Sequence, residues 1–241
     1  MKKHLKSLSA VVLLSVSLLF VAGCEDDWRI TPDDENDDVP GLWVDLGLPS
    51  GLLWASHNVG ASSPDQYGDY FAWGETQPKS VYNRSSYRYY NCDNDGDCGY
   101  TKYCTDAGYG LNGFVDNLTI LQPGDDAATA NWGNGARTPT LQEWQELEQY
   151  TTRHRTTYNG VSGWCFTGSN GNSIFLPAAG CRWDSSLGHG GSGGYYWSSS
   201  LYTGNPDYAW DFCFSSDYYN VIYYNRDRGF SVRPVRLGSQ N

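Results

Sequence analysis

The chain has 241 residues, 27 acidic against 16 basic side chains, and a formal charge of −11. That surplus repels phosphate backbones and anionic lipid heads, so nucleic acid is excluded as a partner and charge alone does not hold the chain to a membrane surface. Ten tryptophans, 19 tyrosines, eight phenylalanines and 28 glycines point to short strands joined by tight turns rather than to long helices.

The first element reads as an export signal. Lys2, Lys3 and Lys6 precede an apolar run from Ala10 to Ala22, broken only by Ser15 and Ser17, and then Gly23 and Cys24. A bilayer core takes about 20 helical residues to span, and this run is shorter, so residues 1–23 are read as a cleaved signal peptide. Val21-Ala22-Gly23-Cys24 resembles the lipobox of bacterial lipoproteins, which implies that Cys24 is acylated and becomes the mature N-terminus. Residues 25–38, EDDWRITPDDENDD, carry eight acidic residues against Arg29. Residues 24–40 are therefore expected to be a solvated, self-repelling tether. Acidic residues directly after the lipidated cysteine resemble the surface-export signal of Bacteroidetes lipoproteins. The implied location is the outer membrane, exposed at the cell surface, with the lipid as the only membrane contact. Loss of Lys2, Lys3 and Lys6 moves the charge from −11 to −14, shared equally between the tether and residues 41–241, which are expected to form one domain.

Within that domain, WVDLGLPSGLLWA at 43–55 reads as strand, Pro-Ser-Gly turn, strand. YGDYFAWGET at 67–76 reads as an aromatic strand or turn. Residues 77–135 are polar, rich in Gly, Asn and Asp and without periodicity, and are expected to be irregular loop. Thr140-x-x-Glu143 is a capping box, and Leu141, Trp144 and Leu147 then recur at helical spacing, so the main helix is expected from Thr140 to about Tyr150. Trp164–Thr167, Ser173–Leu176, Tyr195–Ser200, Tyr208–Ser215 and Phe230–Val235 are short, aromatic or branched, and separated by turn residues; they are expected to be strands.

Six cysteines follow Cys24, and export permits disulfides. Fifteen pairings are possible. Either a Cys92–Cys98 or a Cys98–Cys104 clip fits the short spacing, while Cys165, Cys181 and Cys213 lie in apolar runs and are read as buried thiols.

The blocks YGDYFAWGET (67–76), RTPTLQEWQEL (137–147), FLPAAG (175–180), YYWSSS (195–200) and GFSVRPV (229–235), in this order, resemble the Fibrobacter succinogenes major paralogous domain common in Bacteroidetes lipoproteins. The Arg137–Thr140 turn before an aromatic helix and the closing Gly-Phe strand also look like the C-type-lectin-like fold of sulfatase-modifying proteins. The resemblance implies an α+β, C-type-lectin-like domain whose first and last strands pair, with long loops that carry ligand contacts. It implies no particular substrate.

No catalytic constellation is read from the residues. His57, His154 and His189 stand in no metal-ligand spacing. Gly190-Gly191-Ser192-Gly193-Gly194 matches G-x-S-x-G but runs straight into a strand, whereas a nucleophile elbow lies between a strand and a helix. Asn91-x-Asp93-x-Asp95-Gly96-Asp97 resembles the front of a calcium loop, but Lys102 occupies the position of the closing bidentate Glu. Asn205-Pro206-Asp207 and Trp210-Asp211 lie too close together to reproduce the calcium-dependent sugar site of C-type lectins. Cys181 and Cys213 do not reproduce the context of the cysteine pair used by sulfatase-modifying relatives. No metal and no cofactor are expected.

The run from Tyr195 to Tyr224 is the most suggestive. Twelve of its 30 residues are aromatic, set among Ser, Asn, Asp and Gly, the composition of adaptable binding loops. Trp210, Phe212 and Phe214 alternate with period two and are assigned to the core. Tyr218, Tyr219, Asn220, Tyr223, Tyr224 and Asn225 alternate less regularly and are taken as a ligand-binding surface on loops. The function expected from the sequence is a surface lipoprotein that binds a glycan or protein ligand without catalysis, as an adhesin does. The alternatives are a structural part of a surface appendage or envelope assembly and, behind it, an enzyme of the lectin-like superfamily.

Overall fold

A computed structural model describes residues 42–238. Cys24, the signal peptide and the tether lie outside the described residues. Pro49-Ser50-Gly51 closes the opening hairpin between β1 (Trp43–Asp45) and β2 (Leu52–Ala55), with the Gly51 amide donating to the Leu48 carbonyl at 2.9 Å. Gly51 has φ +68°, a conformation that costs glycine little and a β-carbon much.

Residues 77–135 are more ordered than their composition suggests. They hold β3 (Tyr90–Cys92), β4 (Cys98–Tyr100), short 3-10 turns and α1 (Ala127–Trp132). Their tyrosines fold inward: Tyr82, Tyr87, Tyr89, Tyr100 and Tyr103 are buried. Each hydroxyl finds an acceptor, as a buried phenol must; Tyr82 donates to the Tyr70 carbonyl and Tyr87 to the Trp73 carbonyl, both at 2.6 Å. The irregular loop expected here is instead an ordered segment, because these contacts are long-range and leave no local period in the sequence. A Cys92–Cys98 disulfide clips β3 to β4. In that clip the Asp93 carboxylate accepts from the amides of Asp95 and Asp97, which spends it on the turn. Among the described residues no group of three or more His, Cys, Asp or Glu could hold a metal. Cys104, Cys165, Cys181 and Cys213 are buried free thiols.

The main helix is α2 (Leu141–Tyr150). The Thr140 side chain accepts from the Glu143 amide at 3.3 Å and Glu143 answers on the Thr140 amide at 2.8 Å. Glu143 is also held by Arg137, whose guanidinium grips both carboxylate oxygens. The helix buries Trp144 and Leu147. Trp144 stacks on Phe212 at 4.9 Å and meets Trp54 edge-on at 4.8 Å.

After the helix the chain is nearly all strand: β5 (Thr152–Tyr158), β6 (Val161–Thr167), β7 (Ser173–Pro177), β8 (Cys181–Trp183), β9 (Ser186–Gly188), β10 (Gly194–Leu201), β11 (Tyr208–Phe214), β12 (Tyr219–Asn225) and β13 (Val235–Leu237). The sheet orders are β5-β6-β7, β8-β9, β10-β11-β12 and β1-β2-β13, all antiparallel. The strand expected over 230–235 is split. Phe230 and Ser231 make isolated bridges to Phe71 and Tyr196, and regular pairing resumes only at Val235, because Pro234 has no amide to donate. Strand β13 pairs with β2, so the closing strand joins the opening hairpin through its second strand rather than its first.

The expected α+β, C-type-lectin-like class is overturned by this architecture. The described chain is mostly β, 37% strand against 13% helical, arranged as several small antiparallel sheets. The single main helix is the part of that expectation that stands. No helix among the described residues is long and apolar enough to cross a membrane.

The capping pair at the head of α2 is directly testable. Thr140→Ala should cost about 1 kcal/mol, seen as a fall of roughly 2–4 °C in the thermal midpoint of a chain this size. An unchanged midpoint would show that Arg137 and Glu143 hold the helix start without it.

Candidate functional site

The six residues singled out by the sequence lie on β12 and the turn before it. The expected loop is an edge strand, paired with β11 from Phe214↔Tyr219 to Tyr208↔Asn225. Alternation along a strand then divides them between two faces. Tyr219 and Tyr223 share one face with Val221; Asn220 and Tyr224 take the other with Ile222. Tyr218 stands in the turn, 47% exposed, with its hydroxyl accepting from the Asn220 side-chain nitrogen Nδ2 at 3.0 Å. Asn225 ends the strand, where its carbonyl accepts from the Arg228 amide. The six therefore do not build one surface.

Tyr219 is an anchor in the packing. Its ring meets Trp164 at 5.4 Å, the Arg153 guanidinium sits over it at 4.0 Å, and Arg153 also donates to its hydroxyl. Tyr223 is different, at 43% exposed. It stacks face to face on Tyr202 with centroids 4.0 Å apart and planes within 8°. Trp210 stands edge-on to both rings, at 5.3 Å from Tyr202 and 5.7 Å from Tyr223, and Tyr208 leans against Tyr223 at 5.4 Å. Tyr202, Tyr208 and Trp210 are only half-buried. This corrects the assignment of Trp210 to the core with Phe212 and Phe214, which are buried as expected. Period-two alternation identifies a face, not its burial, and the core under that face ends before Trp210.

Tyr202 and Tyr208 are the members of this cluster that sequence reading missed. Both flank the turn Thr203–Asp207, in which the Tyr202 amide donates to the Tyr208 carbonyl and the Asn205 amide to the Tyr202 carbonyl. The Tyr-Thr-Gly-Asn-Pro spacing between two aromatic strands was the available signal.

Residues 148–235 match a family described as Domain of unknown function (DUF8237). That stretch runs from the end of α2 to the start of β13 and so contains the whole β10-β11-β12 sheet. No curated protein and no solved structure matches the chain. Nothing in these comparisons links it to the Fibrobacter paralogous domain or to a lectin-like fold.

The opposite face of the same sheet carries an unusual group. Asp211, on β11 between Trp197 and Ile222, is fully buried, and neither carboxyl oxygen has a hydrogen-bond partner among the described residues. Burial drives its pKa well above the usual carboxylate range, because the charged form would have to be desolvated without compensation. The titratable groups around it are also held neutral. Burial pushes the Cys213 thiol up to about 12 and the Cys181 thiol to about 11, with Asp211 adding to both and Arg228 opposing at Cys181. Tyr195 is raised in the same way, by burial first and its anionic-capable neighbours second.

A carboxyl that holds its proton more tightly folded than unfolded stabilises the fold fully below its unfolded pKa of about 3.9, and that contribution is lost as pH rises toward the folded value. Asp211→Asn keeps the shape and removes the titration. The variant should match wild type in urea denaturation near pH 3.5 and exceed it increasingly toward neutral pH. A stability difference that does not grow with pH would mean that Asp211 is not buried in its neutral form.

Proposed function

We propose that the chain is a non-catalytic carbohydrate-binding module of a surface lipoprotein, and that Tyr202, Trp210 and Tyr223 form its contact platform. The observation that carries this reading is the half-exposed aromatic cluster, with Tyr223 stacked on Tyr202 at 4.0 Å and Trp210 edge-on to both. Aromatic rings give large contact area at small entropic cost, and their mutual stacking fixes them before a ligand arrives. The rings form one small group bordered by Gly204, Asn205 and Asn225 rather than a broad apolar field. A sugar ring, apolar on its face and polar at its rim, suits such a patch better than a flat protein partner does.

The platform is tested by replacing Tyr202, Trp210 and Tyr223 together with serine. All three are outside the buried set, so the variant should keep its far-UV circular dichroism. Loss of true anchors costs about 2 kcal/mol or more, so glycan-array signals should fall by roughly thirty-fold. A folded triple variant that binds the same glycans unchanged would place recognition elsewhere.

Membrane attachment through an acyl group on Cys24 completes the proposal, supported by the basic start, the short apolar run and the small residues before the thiol. Cys24→Ala should release the protein from membranes and abolish labelling with a palmitate analogue. Unchanged membrane retention would remove the lipoprotein reading and leave the platform untouched.

A further inference from the structure

A second site lies across the sheet from the aromatic platform. Tyr224, on the face opposite Tyr223, closes an open cavity of about 270 Å³ together with Cys181, Trp183, His189, Arg228 and Phe230. Each wall is placed by a definite element. Trp183 ends β8, and its ring lies so close over Gly188 of the paired strand that a β-carbon there would meet ring carbons at 2.0–2.2 Å; glycine at 188 is what lets the indole fold across the hairpin. His189 follows with φ +59°, a left-handed conformation in which histidine is among the few side chains found with any frequency. Its carbonyl is pinned by the amides of Ser192 and Gly193, and its ring stands 6.0 Å from Trp183 and 5.9 Å from Tyr195. Tyr224 meets Phe230 edge-on at 5.5 Å. The turn after β12 delivers Arg228.

Arg228 lines this cavity with its hydrogen-bonding capacity only partly met. Its Nε is one of several buried polar atoms without a hydrogen-bond partner among the described residues. The nearest carboxylate oxygen, Oδ1 of Asp227, is 3.8 Å away, beyond hydrogen-bond length, and is itself buried without a partner. The side chain as a whole is part-exposed, at 31%, and a carboxylate is the acceptor that matches its planar fork. Asp227 is the one carboxylate in ion-pair range, and burial raises its carboxyl with Arg228 and more distant cations opposing; burial also raises the Cys181 thiol, to about 11.

We propose that this cavity binds a monocyclic carboxylate, with Arg228 gripping the carboxylate and Trp183, Tyr224 and Phe230 enclosing the ring. Size sets the limit to one ring: pockets for drug-sized ligands run from about 300 to 1,000 Å³, and this one is just below. The aromatic walls accept either the apolar face of a sugar acid or the face of an aromatic acid. This site is independent of the platform, since neither Arg228 nor Trp183 belongs to the Tyr202–Trp210–Tyr223 cluster.

The test is isothermal titration calorimetry on the full chain with two matched pairs, glucuronate against glucose and benzoate against benzyl alcohol. At least one acid should bind at least about ten-fold more tightly than its neutral partner, as expected for a charge-assisted pair, and which acid does so identifies the source of the ring. Arg228→Gln should erase that difference. Trp183→Ala, at an exposed hairpin end and so safe for folding, should weaken the acid that binds and also serves if Arg228→Gln fails to fold. The proposal is overturned if neither acid binds at millimolar concentration, if acid and neutral partner bind alike, or if folded Arg228→Gln keeps the preference. Glycan binding at the platform should be unchanged in both variants, so failure here and failure there are separate results.

Discussion

The fold is organised around a charge that it buries without an ion pair. Arg233 is completely enclosed, and its guanidinium donates to the Asn58 side chain at 2.9 Å, the Ala55 carbonyl at 3.0 Å and the Phe175 carbonyl at 2.9 Å. Those acceptors lie at the end of β2, in the loop after it, and on β7. A desolvated cation is tolerated only when its donors are satisfied, and leaving one of them without its acceptor costs about 1–3 kcal/mol or more. The closing segment, the opening hairpin and the central strands must therefore sit together for any one of them to be stable. Burial draws the Arg233 pKa down to about 10, with Tyr196 opposing. It also lowers the neighbouring His57 to about 4, by desolvation first and the Arg233 charge second.

Arg226 repeats the device among the aromatic residues of the 87–103 segment. It is also fully buried, donating to the carbonyls of Lys102, Tyr103 and Pro206 and to the Tyr87 hydroxyl. Trp73, Tyr87, Tyr100 and Tyr103 surround its guanidinium at 4.4–5.9 Å. Ring faces are one of the few surroundings that stabilise a desolvated cation without a counter-charge. Tyr87, Tyr100 and Tyr103 thus have a structural task, to line the socket of one arginine that arrives just after β12. The two arginines flank the segment between β12 and β13, while the aromatic cluster is carried mainly by paired strands rather than by free loops.

Against that satisfied background the orphan groups stand out. Buried polar atoms without partners among the described residues are scattered through the chain, from Trp54 to Arg236, and Asp211, Asp227 and Arg228 are the ones on β11 or in the turn after β12. A fold that satisfies two fully buried guanidinium groups tolerates unpaired polar atoms chiefly where they serve something. For Arg228 that role is the proposed carboxylate site. For Asp211 the structure shows only that the carboxyl is kept neutral beneath the same wall.

Some of this was legible in residue order alone. The hairpin at 43–55, the Thr140–Glu143 capping box and the short aromatic strands are local: each depends on residues within a few positions, where periodicity, caps and turn chemistry act, whereas spacing alone leaves open the choice between a Cys92–Cys98 and a Cys98–Cys104 clip. Strand β5 escaped because TRHRTTY is polar on a solvent-facing edge and pairs by backbone bonds that its side chains do not announce. Strand β12 escaped because its irregular alternation reflects an edge with one ring anchored by Arg153 and another stacked on Tyr202. The aromatic and amide richness of residues 195–225 marked the right sheet. Which tyrosine became anchor, platform or cavity wall was decided by strand register, since a shift of one residue sends a side chain to the opposite face. The sequence by itself therefore determined the local elements and the chemistry available. Only the tertiary structure, through the buried arginines that bring distant segments together, decided the class of the fold and which of those side chains face solvent.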